Sequence, residues 1–164
     1  MNDFIEASIR ACHEIKVLIG EGDSSLFSLN NQGFGGDISN GVDLRAEEIC
    51  FSHLSTFGSV FSEESGWMSS ESSTIIFLDP IDGSDNFVSK LPYYGVSIAR
   101  IHNGKTTEAL VCNLASGEIF VRTVDEYFYV TLDNPFQKHD ILTNPSAKIG
   151  LFEKAPEHPE LVKK

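Results

Sequence analysis

Asp79-Pro80-Ile81-Asp82-Gly83-Ser84-Asp85-Asn86-Phe87 follows the apolar run Thr74-Ile75-Ile76-Phe77-Leu78, and the junction between the two decides how the chain is read. The β-branched and aromatic content of the run and its short length predict a buried strand. Pro80 cannot donate to a sheet ladder and Gly83 permits a turn that other residues resist, so the backbone is expected to leave the sheet at Asp79. Asp79 and Asp82 then stand at the mouth of the turn, where their carboxylates can serve one or two cations. Hard divalent ions such as Mg2+ take that kind of ligand, completed by water and by phosphate oxygens of a substrate. Ser84 is the candidate N-cap of a helix opening near Gly83, whose backbone N–H groups would face an anion.

Working outward, Val60-Phe61 reads as a short strand leading into Glu63 and Glu64. Paired acids are usually surface charge, but these follow a strand shortly before a second strand that also ends in an acid. If the two strands share a sheet, Glu63 and Asp79 can point into one cleft.

These residues also resemble a known pattern. Asp79 to Phe87 is similar to the D-P-I/L-D-G-S/T-x-N-F signature of the inositol monophosphatase family, among the lithium-sensitive, Mg2+-dependent phosphatases. Phe61-Ser62-Glu63-Glu64-Ser65-Gly66 resembles the family's G-E-E-S segment, in the family's order and roughly at its separation. The resemblance implies Mg2+-dependent hydrolysis of a phosphate monoester of an inositol or another small sugar or polyol, by direct attack of water. It implies metal binding by Glu63, Asp79, Asp82 and the main-chain carbonyl of Ile81. It implies a catalytic set of Asp43, Glu63 and Ser84, in which the Ser84 hydroxyl, polarised by Asp43 or Glu63, orients the water. Substrate contacts fall to Asp82, Gly83, Ser84 and Asp85, the amides of Gly83 and Ser84 taking phosphate oxygens. Where the family more often has threonine, Ser84 keeps the hydroxyl but lacks the methyl that restricts its rotamer. Members are commonly homodimers. They continue into a W-D-x-A/G-A/G motif carrying another metal-binding aspartate, which nothing here matches, since the only tryptophan, Trp67, precedes Met68. The 164-residue chain is therefore expected to be incomplete for catalysis.

Length and composition agree with a folded chain: hydrophobic residues make up 41% and charged ones 22% of 164 residues. The formal net charge of -12 argues against a sequence-independent grip on nucleic acid or an anionic membrane. Cys12, Cys50 and Cys112 are odd in number, lie in apolar periodic segments and form no CxxC pair, which predicts buried free thiols in a reducing cytoplasm. Asp3 and Glu6 precede any basic residue, unlike a signal peptide, and no apolar run has bilayer-spanning length.

Helical spacing of Phe4, Ile5, Ile9, Cys12, Ile15, Leu18 and Ile19 predicts a helix from Asp3 to Ile19, closed by Gly20 and Gly22. Asp23 to Gly41 is rich in Ser, Asn and Gly and reads as a loop, which either closes over substrate or is a plain surface connection. A second helix is expected over Asp43–Ser55, with Asp43 at its start as an N-cap. After the signature, strands are expected over Gly95–Ile101, Thr107–Cys112, Glu118–Val124 and Tyr127–Leu132, an antiparallel meander with a hairpin turn at Asn103-Gly104. Ala147–Phe152 resembles a further strand, and Pro156 could open a helix.

The expected fold is α+β: a helix pair on an antiparallel sheet over residues 1–144, with the start of a second α/β layer over 145–164. Two other superfamily activities compete, fructose-1,6-bisphosphatase and 3'(2'),5'-bisphosphate nucleotidase; Asn86-Phe87 leans toward the inositol phosphatases. A calcium loop of the D-x-D/N-x-D/N-G type fails because Ile81 stands at its third position. A non-catalytic structural or regulatory domain is the remaining alternative.

Overall fold

The stripe of Phe4, Ile5, Ile9, Cys12 and Ile15 is buried along helix α1 (Asp3–Gly20). Asn2 caps it: Oδ1 accepts the Ile5 N–H at 3.0 Å while Nδ2 donates to Glu108 at 3.0 Å, tying the helix start to the sheet. The architecture is that of a computed structural model, which describes residues 1–36, 38–69 and 72–141. The expected strand at Ala147–Phe152 and the second layer over 145–164 lie outside the described residues.

A 3-10 turn (Ser24–Phe27) leads to the hairpin β1 (Leu29–Gln32) and β2 (Ile38–Asn40), then to helix α2 (Gly41–Leu54). The 23–41 segment is thus not a featureless loop. Helix α2 also begins earlier than its apolar spacing suggests: Asn40 is the N-cap, and Asp43 sits in the first turn and accepts the Asn40 N–H through Oδ2 at 2.6 Å. That bond is the acidic half of a capping box, so Asp43 supports the cap instead of being it.

The remaining elements are β3 (Ser59–Ser62), β4 (Gly66–Trp67), β5 (Thr74–Asp82), the short helix α3 (Ser84–Val88), β6 (Gly95–His102), β7 (Lys105–Asn113), β8 (Glu118–Arg122), β9 (Tyr127–Thr131) and β10 (Asn134–His139). Among the described residues β3 to β10 form one eight-stranded sheet in the order β10-β9-β8-β7-β6-β5-β3-β4. The meander β6 to β9 follows the expected runs, with Asn103 and Gly104 both at positive φ in the first hairpin. β10 was not anticipated; its Pro135 is tolerated because β10 is an edge strand.

Alternation divides the sheet. Ile76, Leu78, Val96, Ile98, Leu110, Cys112, Ile119, Val121, Phe128 and Val130 join Ile5, Cys12, Ala46 and Cys50 of the two helices in one core. The residues between them turn the other way, and Phe77, Val111 and Phe120 are exposed on the opposite face. The fold is α+β as expected, but the sheet is mixed, because β3 and β5 run parallel. No helix among the described residues is long and apolar enough to cross a membrane.

Strand β5 does not stop at Asp79. It runs on through Pro80 and Ile81, pairing Asp79 with Ser97 and Asp82 with Gly95, so three steps along β5 face two along β6. This bulge absorbs the missing N–H of Pro80 that was expected to end the strand, and pairing resumes at Asp82.

Candidate metal and phosphate site

Parallel pairing places the ends of β3 and β5 side by side. Ser62 is in register with Leu78, and the Glu63 N–H donates to the Leu78 carbonyl at 3.0 Å. Ser62 and Leu78 point into the core, so the next residue on each strand, Glu63 and Asp79, points to the open face. Their side chains are hydrogen-bonded to one another, and the charges of Glu63, Asp82 and Glu64 all act on Asp79. Burial first, then the Glu63 contact, pushes Asp79 from 3.8 up to about 8.

The donors are carboxyl oxygens, the ligand type that suits a hard divalent cation. Among the described residues no three His, Cys, Asp or Glu side chains are yet gathered at ligand spacing. Glu63 and Asp79 bond to each other instead, and Asp82 is exposed. The residues fit a hard divalent cation by the chemistry of their oxygens and by their place at adjacent strand ends.

Asp43 and Ser84 approach from the helical side. Asp43 is 1% exposed, and burial, opposed by the hydrogen bond from Asn40, raises it to about 6. The Ser84 hydroxyl is close enough to lower that value but short of a full hydrogen bond, since Asp43 Oδ1 is buried without a partner. Asn40 Nδ2 donates to Ser84 Oγ at 3.4 Å, so one residue contacts both. Gly83, not Ser84, is the N-cap of α3, with φ 86° and ψ 40° in the left-handed region. Ser84 is the first helical residue, and Asp85 lies exposed in the same turn. A Cβ at Gly83 would stand 3.0 Å from the Tyr93 carbonyl oxygen, to which Asn86 Nδ2 donates at 2.9 Å. Phe87 is buried, stacked on Phe27 and edge-on to Tyr94. Asn86 and Phe87 therefore hold the turn in shape. A cleft of about 230 Å3 opens beside it, lined by Asp82, Gly83, Tyr93, Tyr94 and Phe120 among others.

The model of the inositol monophosphatase family matches residues 3–150. The chain belongs to the inositol monophosphatase family. Its relatives include a fructose-1,6-bisphosphatase of Pyrococcus furiosus, 35% identical over 46% of this chain and 30% of the relative. An inositol-1-monophosphatase of Mesorhizobium japonicum is 27% identical over 73% of this chain and 46% of its own. The Nus factor SuhB of Escherichia coli is 27% identical over 75% and 48%. Among solved structures, SuhB of Bartonella henselae superposes with a TM-score of 0.63 at 26% identity, covering 79% of this chain and 50% of that one. The IMPase of Thermotoga maritima gives 0.65 at 21% identity, over 94% and 56%, a likeness of fold. The chain spans about half the length, or less, of the curated relatives it matches.

Within this inositol monophosphatase family chain, the structure brings Glu63, Asp79 and Asp82 into mutual influence and sets Asp43 beside Ser84. Sequence reasoning missed Glu47, which is 5% exposed and accepts both the N–H (3.1 Å) and the hydroxyl (2.6 Å) of Ser65. Glu47 thereby fixes the Glu63-Glu64-Ser65 turn to α2. Its signal was the four-residue step from Asp43, which puts both acids on one helix face. Ser39 was also missed; its hydroxyl donates to Glu64 Oε2.

Proposed function

We propose that the chain is the metal- and phosphate-handling part of a Mg2+-dependent phosphate monoester hydrolase that acts on an inositol phosphate or another small sugar or polyol phosphate. The observation that carries this reading is the meeting of Glu63 and Asp79 at adjacent ends of two parallel strands, under the added charge of Asp82. Glu63, Asp79, Asp82 and the Ile81 carbonyl would hold the cation. When bound, Mg2+ supplies a lowered pKa for attacking water and charge neutralisation on the phosphate.

The protein's own groups do the rest. Asp43 is raised to about 6, so near neutral pH its carboxylate is mostly ionised and able to accept the Ser84 O–H. Ser84 then presents its lone pair to a water proton and aims that water at phosphorus. The main-chain amides of Gly83 and Ser84, with Asp82 and Asp85 beside them, orient the substrate; negative charge redistributing over the phosphate oxygens is met by those amides. The aromatic wall of Tyr93, Tyr94 and Phe120 offers a sugar or polyol ring an apolar surface.

Fructose-1,6-bisphosphate is the second substrate reading, supported by the Pyrococcus furiosus relative. Small phosphorylated compounds are the partners this chemistry supports, and the buried free thiols of Cys12, Cys50 and Cys112 support a reducing, cytoplasmic setting. Two measurements test the reading. In the chain itself, Mg2+ or Mn2+ should raise the thermal midpoint, and Asp82→Asn should lose that rise. In the whole protein, phosphate release from inositol monophosphate, fructose-1,6-bisphosphate and a nucleoside bisphosphate should require Mg2+. Metal-independent turnover, or equal metal shifts in both chains, refutes it.

A further inference from the structure

The turn between β1 and β2 lies across the Glu63–Glu64 segment. The Phe34 N–H donates to the Glu64 carbonyl at 2.7 Å, and the Gly35 N–H donates to the Glu63 carbonyl at 2.9 Å. The approach is close enough that a Cβ on Gly35 would stand 2.9 Å from Glu63 Cγ and 3.2 Å from Oε1. A Cβ on Gly33 would stand 2.8 Å from Glu64 Oε2. The turn is closed by the Gly36 N–H on the Gly33 carbonyl at 3.1 Å.

Its outer anchor is one ring. Phe34 is 67% exposed, yet it meets Phe61 edge-on with centroids 5.4 Å apart and lies over Gly66, where a Cβ would be 2.9 Å from the ring. Phe61 in turn contacts Trp67 at 5.2 Å and Phe77 at 5.5 Å. An aromatic side chain this exposed gains little from burial by itself. Its edge-to-face contact with Phe61 supplies the anchoring that burial does not.

We propose that residues 33–36 form a strap that positions Glu63 for metal binding, with Phe34 as its anchor and the bare Cα of Gly35 as the surface against which the Glu63 side chain is set. The Leu78 carbonyl holds the Glu63 N–H from the sheet side, and the Gly35 N–H holds its carbonyl from the strap side, so the main chain of the ligand is fixed at both polar groups. Its side chain then has Gly35 on one side and Asp79 on the other. Phe34 and Gly35 are positioning residues, since neither reaches the reacting atoms. The inference rests on the reading of Glu63 as a metal ligand.

Mn2+ affinity of the chain, measured by calorimetry, tests it in the wild type, Phe34→Ala, Phe34→Leu, Gly35→Ala and Asp79→Asn. Outer residues that orient a metal ligand are worth about 10–100-fold in affinity. Phe34→Ala and Gly35→Ala should weaken Mn2+ by about tenfold or more, and Phe34→Leu, which keeps apolar bulk but not the edge-to-face ring, should recover only part of the loss. Trp67, the only tryptophan, packs against Phe61, the ring that also meets Phe34, so its emission should change on Mn2+ binding in the wild type and lose that response in Phe34→Ala. Far-UV circular dichroism should be the same in all variants, and a variant that loses its fold is replaced in the comparison by the other strap variant. If the wild type binds Mn2+ and Asp79→Asn does not, but both strap variants bind as the wild type does, the strap is overturned and the site stands. If the wild type binds no Mn2+, both fall.

Discussion

Replacing Asp43 by Asn should abolish a pH dependence built into helix α2. Asp43 is 1% exposed, its Oδ2 is held by the Asn40 N–H at 2.6 Å, and its Oδ1 is buried with no partner. Burial therefore outweighs the lowering by Asn40 and Ser84, and the carboxyl rises from 3.8 to about 6. For a group raised in the folded state, the favourable contribution is complete below the unfolded value of 3.8 and is lost as pH climbs through about 6. At about 1.36 kcal/mol per pH unit the full loss is about 3 kcal/mol. Integrating the two titrations, about 1.6 kcal/mol of that is already gone at pH 5, and about 1.4 kcal/mol is lost between pH 5 and pH 8. Urea unfolding in EDTA, followed through Trp67 at pH 5, 6, 7 and 8, gives the stability of wild type and Asp43→Asn. The difference, variant minus wild type, cancels the titration of distant groups and should grow by about 1.4 kcal/mol across the range. The amide can still accept the Asn40 N–H, so the cap survives. A difference that stays flat with pH would mean Asp43 is charged in the folded state at no cost, and the account of its burial would be wrong.

Gly83→Ala should destabilise the chain by about 1–2 kcal/mol from the left-handed backbone alone, with more from the Cβ that would meet the Tyr93 carbonyl oxygen at 3.0 Å; an unchanged urea midpoint would contradict this. Glu47→Ala removes a charged acceptor from both polar groups of Ser65 and should cost about 2–3 kcal/mol. Ser65→Ala should cost less, and a double-mutant cycle of the two should be clearly non-additive. Asp79→Asn should raise the urea midpoint at pH 8 in EDTA, because it removes a carboxyl that burial and Glu63 push up, yet it should abolish stabilisation by added Mg2+. A variant that keeps the Mg2+ effect would exclude Asp79 as a ligand.

How much of this was legible depended on how far apart in the chain the deciding groups lie. The β6–β9 meander could be read because alternation and the Asn103-Gly104 turn are local, and the structure follows both. The end of β5 was misread because Pro80 was judged by its own missing N–H, whereas the bulge against β6 settles the matter from across the sheet. Asp43 was placed at the wrong cap position although Asn40 and Asp43 stand at the three-residue spacing of a capping box. The β1–β2 hairpin carried no apolar pattern at all. It is held by carbonyls of Glu63 and Glu64, some thirty residues on, a cause that no local window contains.

The same distinction explains why the acids collect where they do. β3–β5 is the one parallel pairing among the described strands, and only parallel neighbours finish on the same side of a sheet. Had β3 paired antiparallel, its last residue would lie at the opposite edge from Asp79, and Glu63 and Asp79 could not share a hydrogen bond. Their chemistry is written in the residue types, but their meeting follows from the crossover between the two strands, which runs through β4 before returning to β5. A perturbed carboxyl is the consequence: Asp79 is raised to about 8 by burial first and then by its acidic neighbours, a standing cost at higher pH that one amide would remove. A divalent cation received there would offset that cost, which is the reading proposed above.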